Sequence, residues 1–182
     1  MSIDHNFYMD TTATRHELRD VLVRADIGFE VEPDSTGRPD GLPDLSGAFS
    51  LATVVTILNE RDYSWMPDNR VLPTRRINFY DRRLYMDDPS NPMKFDKQTV
   101  QGVVALLRAF PDAGAYLEGW DARVPLLLRR GGRLVLSEQK AQPGEFWDPG
   151  RRNLQALVDL PYVIEPLGPW AYGPARAPTA AE

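Results

Sequence analysis

Leu126-Leu127-Leu128-Arg129-Arg130-Gly131-Gly132-Arg133-Leu134-Val135-Leu136-Ser137 is the stretch that decides the fold class. Two apolar runs flank adjacent glycines, and a two-residue turn between antiparallel strands needs positive φ, which glycine supplies without steric cost. The reading is a hairpin, with Arg129, Arg130 and Arg133 as solvated arginines around its turn. Just upstream, Ala115-Tyr116-Leu117 forms another short strand, and before it Val100, Val103, Val104, Leu107 and Phe110 recur at helical spacing. Asp96 or Thr99 caps that helix and Pro111 closes it.

Working toward the N-terminus, Arg76 to Tyr80 and Leu84-Tyr85-Met86 read as a second hairpin turned at 81–83. The run from Ala48 to Leu58 carries Phe49, Leu51, Thr53, Val55 and Ile57 and reads as one long strand in the middle of the sheet. Residues 32–47, rich in Pro, Gly, Asp and Ser, read as a loop after a short strand holding Phe29 and Val31. Thr14-Arg15-His16-Glu17 matches a capping box, and Leu18, Val21, Leu22 and Ala25 follow it at helical spacing, which predicts a helix over about 14–26 closed by Gly28. Ahead of it, Ile3, His5, Phe7 and Met9 alternate with polar residues in the period of a half-buried strand.

Toward the C-terminus, Asp148-Pro149 places an N-cap before a first-turn proline, and Leu154, Leu157 and Val158 give a third helix its buried side. Tyr162 to Glu165 reads as a last edge strand. The expected architecture is α+β: a largely antiparallel sheet with about three helices packed on it, forming a single domain over 1–165 with a Pro-rich, flexible tail over 166–182.

The chain contains no cysteine, which excludes disulfides, thiolate metal sites and a cysteine nucleophile. The N-terminal residues lack a basic segment followed by an apolar one, and no apolar run reaches the roughly 18–20 residues of a membrane span, so a cytoplasmic protein without membrane contact is expected. The net charge of −5 is uneven. Residues 1–62 hold 12 acids and 5 arginines, net −7, and residues 63–182 hold 14 acids and 16 bases, net +2. A negative chain repels phosphate backbones, so no nucleic-acid partner is expected, whereas a basic protein partner fits.

The usual catalytic constellations are missing from the sequence. The two histidines, His5 and His16, lie in no H-E-x-x-H or H-x-H arrangement, and G-x-S-x-G, S-x-x-K and Walker A patterns are absent. No metal or other cofactor is expected, and no catalytic residue is assigned. The acids Glu30, Glu32, Asp34, Asp40, Asp44, Asp87 and Asp88 sit in turn-rich segments, and Trp65 stands in a polar loop. Acidic side chains with an interleaved aromatic suit a contact surface for a basic partner, since aromatic anchors dominate interfaces while charges steer association.

The order of an N-terminal strand and helix, the Val100-Gln101-Gly102-Val103-Val104-Ala105-Leu106-Leu107 helix, Asp112-Ala113 and the 126–137 hairpin resembles the Sit-type (swarming-inhibition) immunity proteins of bacterial toxin systems. The resemblance is strongest over about 70–165, and the acidic segment 32–47 and the Pro-rich tail depart from the pattern. It implies a cytoplasmic antidote that binds and neutralises a cognate toxin domain without catalysis. Two alternatives remain at this point: a small hydrolase using His5 with Asp4 or Asp10, and an adaptor whose Pro166 and Pro169 present a P-x-x-P segment.

Overall fold

The computed structural model describes residues 4–31, 45–49, 53–59, 74–81, 94–118, 125–138 and 158–167. Among the described residues nine strands form one sheet: β1 (Asp4–Asp10), β2 (Phe29–Val31), β3 (Leu45–Phe49), β4 (Thr53–Asn59), β5 (Arg75–Asp81), β6 (Gly114–Glu118), β7 (Pro125–Arg130), β8 (Arg133–Ser137) and β9 (Val163–Glu165). Their spatial order is β2-β3-β4-β5-β1-β6-β7-β8-β9. Every neighbouring pair is antiparallel except β8 and β9. Two helices, α1 (Arg15–Arg24) and α2 (Lys94–Ala109), complete the described elements.

The first strand is the middle of the sheet, between β5 and β6, because its alternation serves two faces. Phe7 and Met9 are fully buried in the main core with Ile77, Phe79, Leu117 and Leu127 of the neighbouring strands. Leu18 and Leu22 of α1 and Val100, Val103, Val104 and Leu107 of α2 join the same core, so both helices cover that face. Fully burying side chains of this size contributes roughly 1.5–3 kcal/mol each before the entropy of ordering is counted. Tyr8 points the other way and stacks on Tyr116 with ring centroids 4.5 Å apart, in a second cluster completed by Leu128, Val135 and Leu167.

Local chemistry sets the element ends. Thr14 caps α1 by accepting from Glu17 N at 3.2 Å, and the Glu17 carboxylate accepts from Thr14 N at 2.7 Å, so the predicted capping box is present. The helix stops at Ala25; Asp26 and Gly28 then take φ of 51° and 78°. At the β7–β8 turn Gly131 and Gly132 have φ of 56° and 74°, the positive values that the glycine pair predicts.

Several expectations change. The 48–58 run is not one strand: it divides into β3 and β4, which pair antiparallel with each other, and β3 begins at Leu45, inside the segment expected to be loop. Phe49, Leu51 and Thr53 keep one parity through the division, so alternation alone does not reveal it. The 76–80 strand is β5, and both of its edges are occupied, by β4 and by β1; the 84–86 half of the expected hairpin lies outside the described residues. Helix α2 begins at Lys94, which places Asp96 and Thr99 inside it and not at its cap. Two helices are present among the described residues where about three were expected, and 149–157 of the third lie outside them; Val158 is a buried core residue in no regular element. Leu167, beyond the expected 165/166 boundary, is 5% exposed and belongs to the second cluster.

Candidate functional site

Of the expected contact residues, Glu30 lies in β2 opposite Ala48 at one edge of the sheet. Glu32, Asp34, Asp40, Asp44, Trp65, Asp87 and Asp88 lie outside the described residues. His16 is exposed on α1. His5 is 4% exposed on the helix-covered face, and its Nδ1 stands 3.4 Å from the main-chain oxygen of Glu118. An imidazole buried in this way has no open cleft in which to serve as a base, so the His5 hydrolase loses its premise. Among the described residues no group of three or more His, Asp or Glu side chains is placed to hold a metal ion.

Arg129 corrects the reading of the arginine turn. Alternation turns it into the helix-covered side, where it is 5% exposed, while Arg130 and Arg133 are exposed as expected. Its Nε donates to Ala113 O at 2.8 Å, one terminal nitrogen to Leu107 O at 2.6 Å, and the other to Phe110 O. These are carbonyls at and just beyond the end of α2, which the helix itself leaves without partners. A guanidinium there also faces the negative end of the helix dipole. Burial pulls its pKa below the ordinary arginine value, with the Asp112 charge opposing.

The most developed polar cluster among the described residues lies on the sheet face turned from the helices, where β5, β1 and β6 run side by side. Asn6 Oδ1 accepts from Arg76 Nε at 3.0 Å and from Asn78 Nδ2 at 2.9 Å. With its oxygen fixed in this way, the Asn6 amide is turned toward Glu118, its register partner on β6. The Glu118 carboxyl is hydrogen-bonded by the Tyr8 hydroxyl and the Asn6 side chain. The Arg76 guanidinium sits 5.9 Å from the centroid of the Tyr8 ring, within cation–π range. Burial pushes the Glu118 pKa up, and the bonds from Tyr8 and Asn6 and the charge of Arg76 only partly offset it. Glu118 also stands where the pairing of β6 with β7 shifts register, and its main-chain oxygen faces His5.

Sequence reasoning missed this cluster. Asn6, Arg76, Asn78 and Glu118 each read as the polar half of an alternating strand, which normally means a solvated face. The available signal was that Tyr8 and Tyr116 lie among these polar positions, and large aromatics there indicate a second packed surface.

Two hollows carry less chemistry. A groove of about 670 Å³ between α1 and α2 is floored by Val21, Ile27 and Val104 and edged by Arg24 and Arg108. Arg108 is already paired with Asp159, and both arginines stand in the last turns of their helices, where they offset the dipole. A shallower one of about 450 Å³ is bounded by Asp10, Thr11 and Thr12 and by residues 109–113.

No family model, curated protein or solved structure matches the chain. No described helix is long and apolar enough to cross a membrane.

Proposed function

We propose that this chain is a non-catalytic, cytoplasmic immunity protein that binds a cognate bacterial toxin domain and neutralises it by direct contact. The observation that carries the reading is the segregation of charge: net −7 over residues 1–62 against net +2 over the remainder. An acidic inhibitor steers toward a cationic toxin surface, which raises the association rate and disfavours other partners. The contact residues assigned to that surface are Glu30, Glu32, Asp34, Asp40, Asp44, Trp65, Asp87 and Asp88. The resemblance of the segment order to that of Sit-type immunity proteins points the same way. Removal of His5 as an accessible base weakens its main catalytic rival.

The test is co-expression of the chain with any toxin-like domain found encoded beside its gene, scoring growth together with co-elution on size exclusion. Restored growth with a stable complex is the expected result. An active toxin, a folded chain, no rescue and no complex would overturn the proposal.

A further inference from the structure

We propose that the Glu118 cluster is a docking point for a basic side chain, an arginine or lysine presented by the protein this chain binds. The proposal deepens the immunity reading and rests on it for the identity of the partner, but the site is argued from its own geometry.

The carboxyl is held in place before any partner arrives. Arg76 and Asn78 lock the Asn6 oxygen, so the Asn6 amide is committed to Glu118, and the Tyr8 hydroxyl, buried beneath, supplies a second bond. Such pre-organisation lowers the cost of ordering a contact on binding. A carboxylate offers about four lone-pair positions, and among the described residues Tyr8 and Asn6 occupy two of them, which leaves positions for donors of a second cation. Asn6, Arg76, Asn78 and Glu118 are all partly exposed, so the cluster opens at its upper side while Tyr8 and Tyr116 close it below.

Charge decides what fits. Among the described side chains, the titratable groups turned to this face from the neighbouring strands are Tyr8 and Asp10 of β1, Arg76 of β5 and Arg130 of β7, with Tyr116 and Glu118 on β6. Arg76 is the cation that acts on Glu118, and burial of the carboxyl outweighs its attraction together with both hydrogen bonds. An ionised carboxylate accepts only, so the positions it presents suit donors, and a donor that carries positive charge suits them best. A partner cation placed there strengthens with the lowered local dielectric and gains more than it would at a solvated acid. An anion would meet the same carboxylate and be repelled.

Binding of a cation must then favour the ionised form, which couples the contact to proton release. The test uses the full chain with side-chain-labelled glutamate, a hexa-arginine peptide as probe and a hexaglutamate peptide as control, at low salt. The NMR midpoint of Glu118 is expected to fall on adding hexa-arginine and to stay put with hexaglutamate. A drop of one pH unit corresponds to about tenfold tighter binding to the ionised than to the protonated form. Glu118→Gln should weaken hexa-arginine binding by a similar factor, while Glu138→Gln, at an exposed position on another part of the chain, should leave it unchanged. A Glu118 midpoint that hexa-arginine does not move would overturn the site, whether or not the variant folds. In the growth assay, rescue by Glu118→Gln at unchanged affinity would sink this site and leave the immunity reading standing. Loss of rescue by wild type itself would remove the immunity reading, and the peptide titration would still decide the site.

Discussion

Arg129 shows how one side chain can tie a helix to a sheet. It stands on β7, yet all its recorded bonds go to the last turn of α2 and the residues after it, so the strand carries the cap of the helix. Removing it takes a charged donor from three carbonyls, of which Phe110 O keeps the Ala113 N–H at 3.2 Å. Arg129→Met is expected to cost about 3 kcal/mol, the range for hydrogen bonds to a charged group plus the desolvation of what remains unpaired. Arg129→Lys should recover part of that, since it keeps the charge but not the fork; urea midpoints of both variants at equal m-value would measure it. Thr99 is the opposite case. It is 1% exposed in α2, and its hydroxyl has no hydrogen-bond partner among the described residues. Thr99→Val removes an unsatisfied group at nearly constant shape, so stability should rise, by about 1 kcal/mol, in the same denaturation experiment. Glu118 gives a pH dependence with a definite sign. Its folded pKa is raised above 4.5, so the folded chain holds the proton more firmly than the unfolded one. Stability is therefore free of this penalty below the unfolded value, falls as pH rises between the two pKa values, and is lowest above the folded one. Glu118→Gln should match wild type in acid and become the more stable protein through that window. Thermal transitions that stay equal at neutral pH would show that burial of the carboxyl is not the dominant cost.

Elements whose ends and faces are set by local rules were legible, and those set by partners were not. The α1 capping box, the Val100 to Leu107 stripe and the Gly131-Gly132 turn each follow from neighbours within a few positions, and the structure contains all three. The split of 48–58 is a local hairpin, Phe49 facing Thr53, that constant parity conceals, whereas the pairing of β5 with β1 depends on a strand far away in the chain. Arg129 was misread for the same reason: an arginine beside a glycine turn is normally solvated, and only α2, brought over the sheet, supplies its carbonyl partners. Strand β9 adds a constraint of its own. It runs parallel to β8, and parallel neighbours need a connection of a dozen or more residues, so the long separation between Ser137 and Val163 is a requirement of the topology. At this scale Thr14→Ala should lower stability by about 1 kcal/mol through loss of the α1 cap. The Thr14 main-chain bond, and then its hydroxyl, hold the Glu17 pKa down, so the carboxylate half of the box is intact above the ordinary value and lost as pH falls through the lowered one. Hydrogen exchange of the first-turn amides of α1, followed from neutral to acidic pH, would report both effects.

For the molecule as a whole, charge and pattern lead to different parts of the chain. Composition points to the acidic N-terminal third, whereas the geometry points to Glu118 and its neighbours in the middle of the sheet. The second was illegible because Asn6, Arg76, Asn78 and Glu118 span 112 positions of sequence and meet only through the registers of β5 with β1 and β1 with β6. Under the proposed function the two locations should make separable contributions to binding. Charges spread over 30–44 act at a distance, so they should govern the association rate and its salt dependence. A pre-organised, partly buried carboxyl acts on contact, so it should govern dissociation. Reversing Glu30, Glu32, Asp34, Asp40 and Asp44 together is thus expected to slow association with a basic toxin domain by about tenfold or more at low salt, and to do little once the Debye length shrinks to about 3 Å near 1 M salt. Glu118→Gln should leave the association rate nearly unchanged and speed dissociation. Stopped-flow association and surface-based dissociation of the two variants, at low and high salt, would separate these roles. Equal salt dependence in wild type and the charge-reversed variant would remove the acidic segment from the encounter, and would leave the sheet face as the proposed contact still to be tested.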